Sequence, residues 1–295
     1  MKIEDIKQLS PIDRFCYFIQ ERESIRLKRL AGESPPWTDD EILQRFRFTN
    51  VRRMDDRVSQ WLLKEWYEPN FDHPNMLVAC AVARFINLPA SLDLITKYVF
   101  SKRWGAGPSK RIKEVLRKRK ASGETVFNAA YMVRGNDGVD KLESVMDFHI
   151  KSLKGLKIDE NSMEATWQLI QDCYGFGSFM AGQVVADLRW AVSGLWSDRN
   201  DWAPMGPGSK RGINRLAGRA INAPLRQEQF LTELENLREA CEKKLPTSIT
   251  ERLELHDWQN CCCEISKYDR TLFDGKRPKQ LYRKLHNQIV GQESR

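Results

Sequence analysis

Residues 173–190 read C-Y-G-F-G-S-F-M-A-G-Q-V-V-A-D-L-R-W, and the fold turns on what they are. A helix ends at Cys173, and Gly175 and Gly177 make a tight turn, since glycine alone takes positive φ without a Cβ penalty. Ser178 then opens a second helix with the apolar stripe Ala181, Val184, Val185, Leu188, Ala191 and Val192. Gln183, Asp187 and Trp190 share its other side. Two helices joined through G-x-G form a hairpin whose backbone N–H groups can hold a DNA phosphate without reading sequence. Many helical proteins also use such a turn with no ligand.

Helical periodicity runs outward from the hairpin in both directions. Upstream, 163–173 and 139–153 read as helices, and Gly135 to Gly138 as a turn. Thr125–Val133 has the β-branched and aromatic residues of a short strand, though it equally continues a helix. Met76–Leu88 is apolar nearly all round and reads as a central buried helix, its one charge, Arg84, either paired internally or aimed into a site. Residues 45–63, R-F-R-F-T-N-V-R-R-M-D-D-R-V-S-Q-W-L-L, read as a helix with Val51, Met54, Val58, Trp61 and Leu62 on one face. Arg52, Arg53, Asp56, Arg57 and Gln60 gather opposite, as a solvated face or as the lining of a cleft. In residues 1–30, Ile6, Phe15, Phe18, Ile19 and Ile25 share one side of a helical pattern. After a turn at Gly32–Trp37, Thr38 and Glu41 have the spacing of a capping box. Downstream, 225–244 is amphipathic, and Trp258, Cys261, Cys262 and Ile265 face a core with Glu264, Lys267 and Tyr268 beside them. The expected fold is all-α, with 1–36 as an N-terminal helical extension and 37–295 as a two-lobed helical domain whose hairpin spans 163–192.

The stretch Trp202–Gly218, W-A-P-M-G-P-G-S-K-R-G-I-N-R-L-A-G, carries the strongest chemical signal. Pro204, Gly206, Pro207 and Gly208 break helix and strand alike, and Ser209 sits where an N-cap belongs. Lys210 and Arg211 then occupy the first turn, the positive end of the dipole, where acids are normally favoured. Arg211, Arg215 and Arg219 recur as a one-sided, self-repelling stripe. Free N–H groups, a helix N-terminus and a fork of guanidinium groups point to a phosphate-type ligand. The competing reading is a basic face neutralised by carboxylates elsewhere in the fold. A second basic run contains Lys110, Arg111, Lys113, Arg117, Lys118, Arg119 and Lys120 with only Glu114 in offset. It suits a nucleic-acid backbone or, equally, solvent.

The totals agree with a polyanionic partner. A formal charge of +8 over 295 residues favours nucleic acid ahead of a membrane surface, and 41% hydrophobic content supports a folded core. No apolar run is long enough to span a bilayer, and the N-terminus M-K-I-E-D-I-K-Q-L-S has no apolar signal region. Seven scattered cysteines, with Cys261, Cys262 and Cys263 consecutive, suit neither a disulfide framework nor a zinc knuckle. The chain reads as cytoplasmic, metal-free and without a cofactor.

Four of these stretches in order, F-R-F-T-N-V-R-R-M-D-D-R-V, G-F-G-S-F-M-A-G-Q-V-V-A-D-L, G-P-G-S-K-R-G-I-N-R-L and Q-N-C-C-C-E-I-S-K-Y-D-R, resemble the DNA base hypermodification family of α-glutamyl/putrescinyl thymine pyrophosphorylases. That family also carries the name of the hydroxymethyl-dU DNA kinase helical domain. The resemblance covers about residues 37–282. The hairpin followed by Asp198 and Asp201 is similar to the helix-hairpin-helix DNA glycosylases, whose catalytic aspartate lies beyond the hairpin. The resemblance implies a glycosylase-like fold, a phage origin (hence a host cytoplasm), and action on modified thymine in DNA with an amino acid or polyamine as co-substrate. A 5-hydroxymethyluracil is first pyrophosphorylated, and an amine nitrogen then displaces the pyrophosphate. Without a Walker A motif, this chain is expected to be the transferase, with a pathway kinase as a possible partner. Carried over, Asn50, Arg52, Arg53, Asp55, Asp56 and Arg57, then Gly206, Gly208, Ser209, Arg211, Asn214 and Arg215, and also Lys267 and Tyr268, become site candidates. Thr49 and Cys262 depart from the family's common choices, and Ser266 replaces an acidic residue, which puts any role of that acid in doubt.

The chemistry assigns roles to these groups. Asp56, Asp187 or Asp201 would take the amine's proton, and Asn50, Arg53, Arg211, Asn214 and Arg215 would line the reacting centre. Lys110, Arg111, Lys113, Gly175, Gly177, Ser178, Gly206, Gly208, Ser209, Lys210, Lys267 and Tyr268 would hold DNA or phosphate. Trp202 or Tyr131 would stack on the extruded base. One alternative is a monofunctional glycosylase using Asp198 or Asp201. Another is a non-catalytic DNA-binding module.

Overall fold

The computed structural model describes residues 1–128, 138–192, 194–276, 278, 281 and 282. Tyr131, Gly135 and the 129–133 part of the expected strand lie outside them. The principal helices are α1 (Ile3–Gln8), α2 (Pro11–Leu30), α3 (Glu41–Arg45), α4 (Arg57–Trp61), α5 (Met76–Ile86), α6 (Ala106–Ala121), α7 (Met163–Gln171), α8 (Gly177–Ala191), α9 (Pro207–Leu216), α10 (Gln227–Glu242) and α11 (Leu255–Asp274). Among the described residues the fold is all-α; residues 125–128 are irregular, and Phe46 and Leu281 make one isolated antiparallel bridge. The chain divides into two compact units, residues 1–56 with 205–295, and residues 57–204.

The first unit is built on α2 and α11. Ser10 caps α2 by accepting the Asp13 N–H at 3.1 Å, and Pro11 fills the first helical position, where its missing N–H costs nothing. Phe15, Phe18, Ile19 and Ile25 are buried on its inner side. Phe18 meets Tyr268 of α11 at 5.3 Å and Phe48 at 5.6 Å between ring centroids. A buried ion pair, Arg14–Asp269 at 2.9 Å, joins the same two helices. Helix α2 therefore packs into this unit's core against α11. Asp40, not Thr38, caps α3, accepting the N–H groups of Ile42 and Leu43, while Thr38 Oγ1 accepts the N–H of Asp40.

Helix α9 crosses α11 at closest approach through two glycines one turn apart. A Cβ on Gly208 would stand 2.2 Å from Cys263 Sγ, and one on Gly212 would stand 1.9 Å from the Cys262 carbonyl oxygen. Only glycine permits that separation, so G-S-K-R-G is a packing motif. The N-terminus also differs from the expectation. The helix starts at Pro207, with Gly206 ahead of it, and Ser209 lies inside the first turn. Its Oγ accepts the Gly206 N–H at 3.0 Å and a hydrogen from Gln259 Nε2 at 3.1 Å. Lys210 and Arg211 thus follow the three leading positions, one turn deeper than expected, where the dipole's penalty on a cation is weaker.

Residues 45–63 do not form the single helix expected of them. Residues 46–52 are irregular, Arg53–Asp55 form one 3₁₀ turn, and helix begins only at Arg57. The reason is that tertiary partners take the backbone groups a helix would need. Arg22 donates to the carbonyls of Phe48 and Thr49, Glu264 accepts the Thr49 N–H, Asp56 accepts that of Asn50, and Asp257 that of Arg53.

In the second unit α5 is buried on nearly every side. Arg84 is paired internally with Asp187, which also accepts from Tyr67 Oη at 2.7 Å. The hairpin is present as α7, a turn and α8, with Ala181, Val184, Val185, Leu188 and Ala191 of the expected stripe in the core and Val192, just past the helix, half-buried. Gly175 has φ 81° and lies so close to the His149 ring that no Cβ would fit. His149 belongs to a helical run over 141–152 whose middle, Ser144–His149, is a π-helical turn. Asp187, on the side of α8 that Gln183 and Trp190 share, is fully buried.

Candidate functional site

Asp56 is a half-buried carboxyl of the first unit. It closes the 48–56 loop, one of its oxygens accepting the Asn50 N–H at 3.2 Å. Desolvation pushes its pKa up to about 6, against that hydrogen bond and the positive charge of Arg53, with Glu264 adding repulsion and Arg22 opposing it. Asn50 is fixed from both ends, since its Nδ2 donates to the Asp55 carbonyl at 2.8 Å and its Oδ1 lies 3.4 Å from Arg22. Arg53 is buried, its N–H tied to Asp257 at 2.8 Å. Asp55 is consumed by a network with Arg26 and Arg252, which holds the loop to α2.

Helix α11 supplies the next wall. Asn260 donates to Thr49 Oγ1 at 3.1 Å, and Glu264, one turn on, faces the same loop. Lys267 pairs with Glu264 and keeps 44% of its side chain exposed, so it can still reach a ligand. Burial works against its charge, but the Glu264 carboxylate outweighs that and holds its pKa above the ordinary value. Cys263 locates the cations relative to one another. Burial and Glu264 push its thiol up to about 11, while Lys267 and Arg211 pull the other way. Arg211 of α9 and Lys267 of α11 therefore both act electrostatically on one thiol. Arg211 is exposed, and its polar contact is a 3.5 Å approach to Asn222. Neither it nor Lys210 pairs with a described carboxylate.

The remaining candidates on α9 have structural partners. Asn214 is fully buried, donating to the Ile221 and Ala223 carbonyls and accepting from Arg219 at 2.9 Å, so it organises the 217–223 turn. Arg215 pairs with Asp274 at 2.6 Å, and Arg219 with Glu233. Two members of the arginine stripe are thus neutralised from distant parts of the chain. Gly206 gives its N–H to Ser209, and Gly208 serves the helix crossing. Tyr268 is fully buried with its hydroxyl on Asp40 at 2.6 Å, which removes it from phosphate binding.

In the second unit, Asp187 is saturated by Arg84 and Tyr67 and offers no free oxygen lone pair comparable to that of Asp56. Asp198 accepts the Met163 N–H on both oxygens at 3.1 Å, capping the hairpin's first helix. Asp201 is exposed. Trp202 is buried against Trp167, ring centroids 5.4 Å apart, and cannot stack on a base. Ser178 and Gly177 are exposed in the first turn of α8. The basic helix α6 is far less free than its own sequence suggested. Arg111 pairs with Glu114, Lys113 with Asp147, Arg117 with Glu143, Arg119 with Glu124 and Lys120 with Asp140. Lys110 and Lys118 alone on that helix have no described carboxylate partner. Among the described residues no cluster of three His, Cys, Asp or Glu could hold a metal, and no helix is long and apolar enough to cross a membrane.

Sequence comparison adds three findings. The family model described as 5-hmdU DNA kinase, helical domain, matches residues 10–277. The 5-hmdU DNA kinase of Bacillus phage SP10 is 30% identical over 309 aligned residues, which cover 90% of this chain and 47% of the relative, so the chain spans about half that relative's length. No solved structure matches.

Proposed function

We propose a function from one premise: the chain belongs to the family of the 5-hmdU DNA kinase helical domain. On that premise its substrate is DNA carrying a modified thymine, in a phage hypermodification pathway. Its own step replaces the pyrophosphate of 5-(pyrophosphoryloxymethyl)uracil with the nitrogen of an amino acid or polyamine. A Walker A motif, the usual phosphate cradle of one large class of kinases, does not occur in the sequence, which favours displacement over phosphorylation.

The observation that carries this reading is Asp56, a desolvated carboxyl with pKa about 6 in the same unit as three cations, Lys210, Arg211 and Lys267, that retain exposed surface. An amine attacks only through its free lone pair, so it must first lose a proton, and Asp56 takes it. The nitrogen lone pair then forms the new C–N bond at the methylene carbon. The C–O bond breaks, and pyrophosphate leaves with that electron pair. Negative charge grows on the departing oxygens, where Arg211, Lys210 and Lys267 stabilise it. Asn50 and Arg53 hold the loop that presents Asp56.

The test supplies the full chain with DNA bearing 5-(pyrophosphoryloxymethyl)uracil and a pool of amino acids and polyamines, and follows pyrophosphate release. Release that depends on the amine supports the reading, whereas abasic sites would assign a glycosylase. A second reading has one observation in its favour, the name of the relative of which this chain spans about half: the helical part presents 5-hydroxymethyluracil DNA to a separate phosphotransfer region. Phosphorylation of that DNA by this chain with ATP alone would replace both readings with a kinase.

A further inference from the structure

We propose that the hairpin end of the second unit is a stacking platform for unpaired nucleic acid, formed by the rings of Phe148 and Tyr174 and edged by Lys151 and Lys154. The inference rests on the DNA-substrate reading and deepens it by naming the strand state. Phe148 is 42% exposed and Tyr174 55%, with ring centroids 6.1 Å apart. Adjacent half-exposed rings offer a binding surface aromatic faces that the fold does not fully cover.

The rings stand on a rigid base. Tyr174 immediately precedes Gly175, whose positive φ folds the turn onto the buried His149 ring. His149 contacts Tyr174 at 5.8 Å and Phe85 at 5.1 Å, edge to face, and its Nδ1 is 2.6 Å from the Ser144 carbonyl. The Ser152 hydroxyl lies within hydrogen-bonding distance of both the His149 and Tyr174 carbonyls, joining the two segments. The platform's geometry is thus set before any ligand arrives.

Charge selects the occupant. Lys151 lies one helical turn beyond Phe148, and Lys154 follows Ser152; both are exposed, and neither pairs with a described carboxylate. Asp147, next to Phe148, is taken by Lys113, which leaves Asp172 as the exposed acid beside the turn. Bases offer π faces to aromatic rings while their phosphates lie on the lysines, a combination that tolerates any sequence. A duplex covers its base faces, so it can use the lysines but not the rings. A base removed from its stack can use both.

The full chain is titrated with a fluorescent oligothymidylate of about a dozen nucleotides and with a duplex of the same length. Phe148→Ala and Tyr174→Ala should each weaken single-strand binding about tenfold and leave duplex affinity within about twofold. Tyr174→Phe should keep both the single-strand affinity and the parent's melting temperature, because the ring keeps its contacts with His149 and Phe148. Lys151→Gln should lower the slope of log K against log salt by about 0.7 on the single strand. Alanine variants that hold the single strand as well as the parent would overturn the platform, as would equal losses on both substrates. A parent chain that binds duplex alone also overturns it, leaving the DNA reading in place. Binding to neither substrate removes both.

Discussion

Replacing Asp56 by asparagine isolates the group on which the proposed chemistry depends. The carboxyl titrates near 6 in the folded chain against an ordinary 3.8, because the folded environment disfavours its charge. Below about pH 3 it is protonated in both folded and unfolded chains and contributes no difference. Between those values only the unfolded chain releases the proton, so stability falls as pH rises, and above pH 6 the full cost is present. Each pH unit between the folded and unfolded titration points is worth about 1.4 kcal/mol, so ionised Asp56 costs the folded state up to about 3 kcal/mol at pH 8. Asparagine keeps an oxygen for the Asn50 N–H and carries no charge. Asp56→Asn should therefore stabilise the protein by about 1–3 kcal/mol at pH 8 and by nothing measurable near pH 3, while abolishing turnover. Urea unfolding at the two pH values measures it. A variant less stable than the parent at pH 8, or equally shifted at both pH values, would refute the argument that Asp56 is a desolvated base.

Other substitutions separate packing from chemistry. Arg211→Ala should cut turnover by about 100-fold with its melting temperature unchanged, because this exposed side chain has no described carboxylate to orphan; early melting with normal turnover would assign it a structural role. Gly212→Ala forces a methyl against the Cys262 carbonyl and should cost about 1–3 kcal/mol or more in denaturant titration, with Gly208→Ala milder because the Cys263 side chain can turn away. Asp187→Ala strands Arg84 and Tyr67 in the core and should destabilise its unit by about 3–5 kcal/mol, whereas a stable variant with lost turnover would return Asp187 to the chemistry.

What was legible in the sequence was periodicity backed by burial. The apolar α5, the stripe of α8 and the inner face of α11 all follow from spacing, because a helix in a core must carry its apolar side chains at that period. Residues 46–56 carried the same period without forming an α-helix. Their backbone bonds go to Arg22, Asp257 and Glu264, and the Arg53–Asp257 contact joins residues 204 positions apart, which no local pattern encodes. The arginine stripe failed in the same way. Arg215 finds Asp274 and Arg219 finds Glu233 through the fold, so charges that repel along one helix are neutralised from others. Glycine carried two meanings that sequence does not separate, and at 208 and 212 the close crossing of α9 and α11 accounts for it. Glu264 and Asn260 were visible as polar residues one turn apart on an amphipathic helix, but not the loop they serve.

The most direct test is nucleoside mass spectrometry of DNA containing 5-(pyrophosphoryloxymethyl)uracil after incubation with an amine pool at pH 8, using the parent chain and Asp56→Asn in parallel. The account predicts a C–N-linked thymine adduct with the parent, matched by released pyrophosphate, and the unaltered pyrophosphoryl base with the folded variant. Equal adduct from both proteins, or a base left intact by the parent, would contradict it.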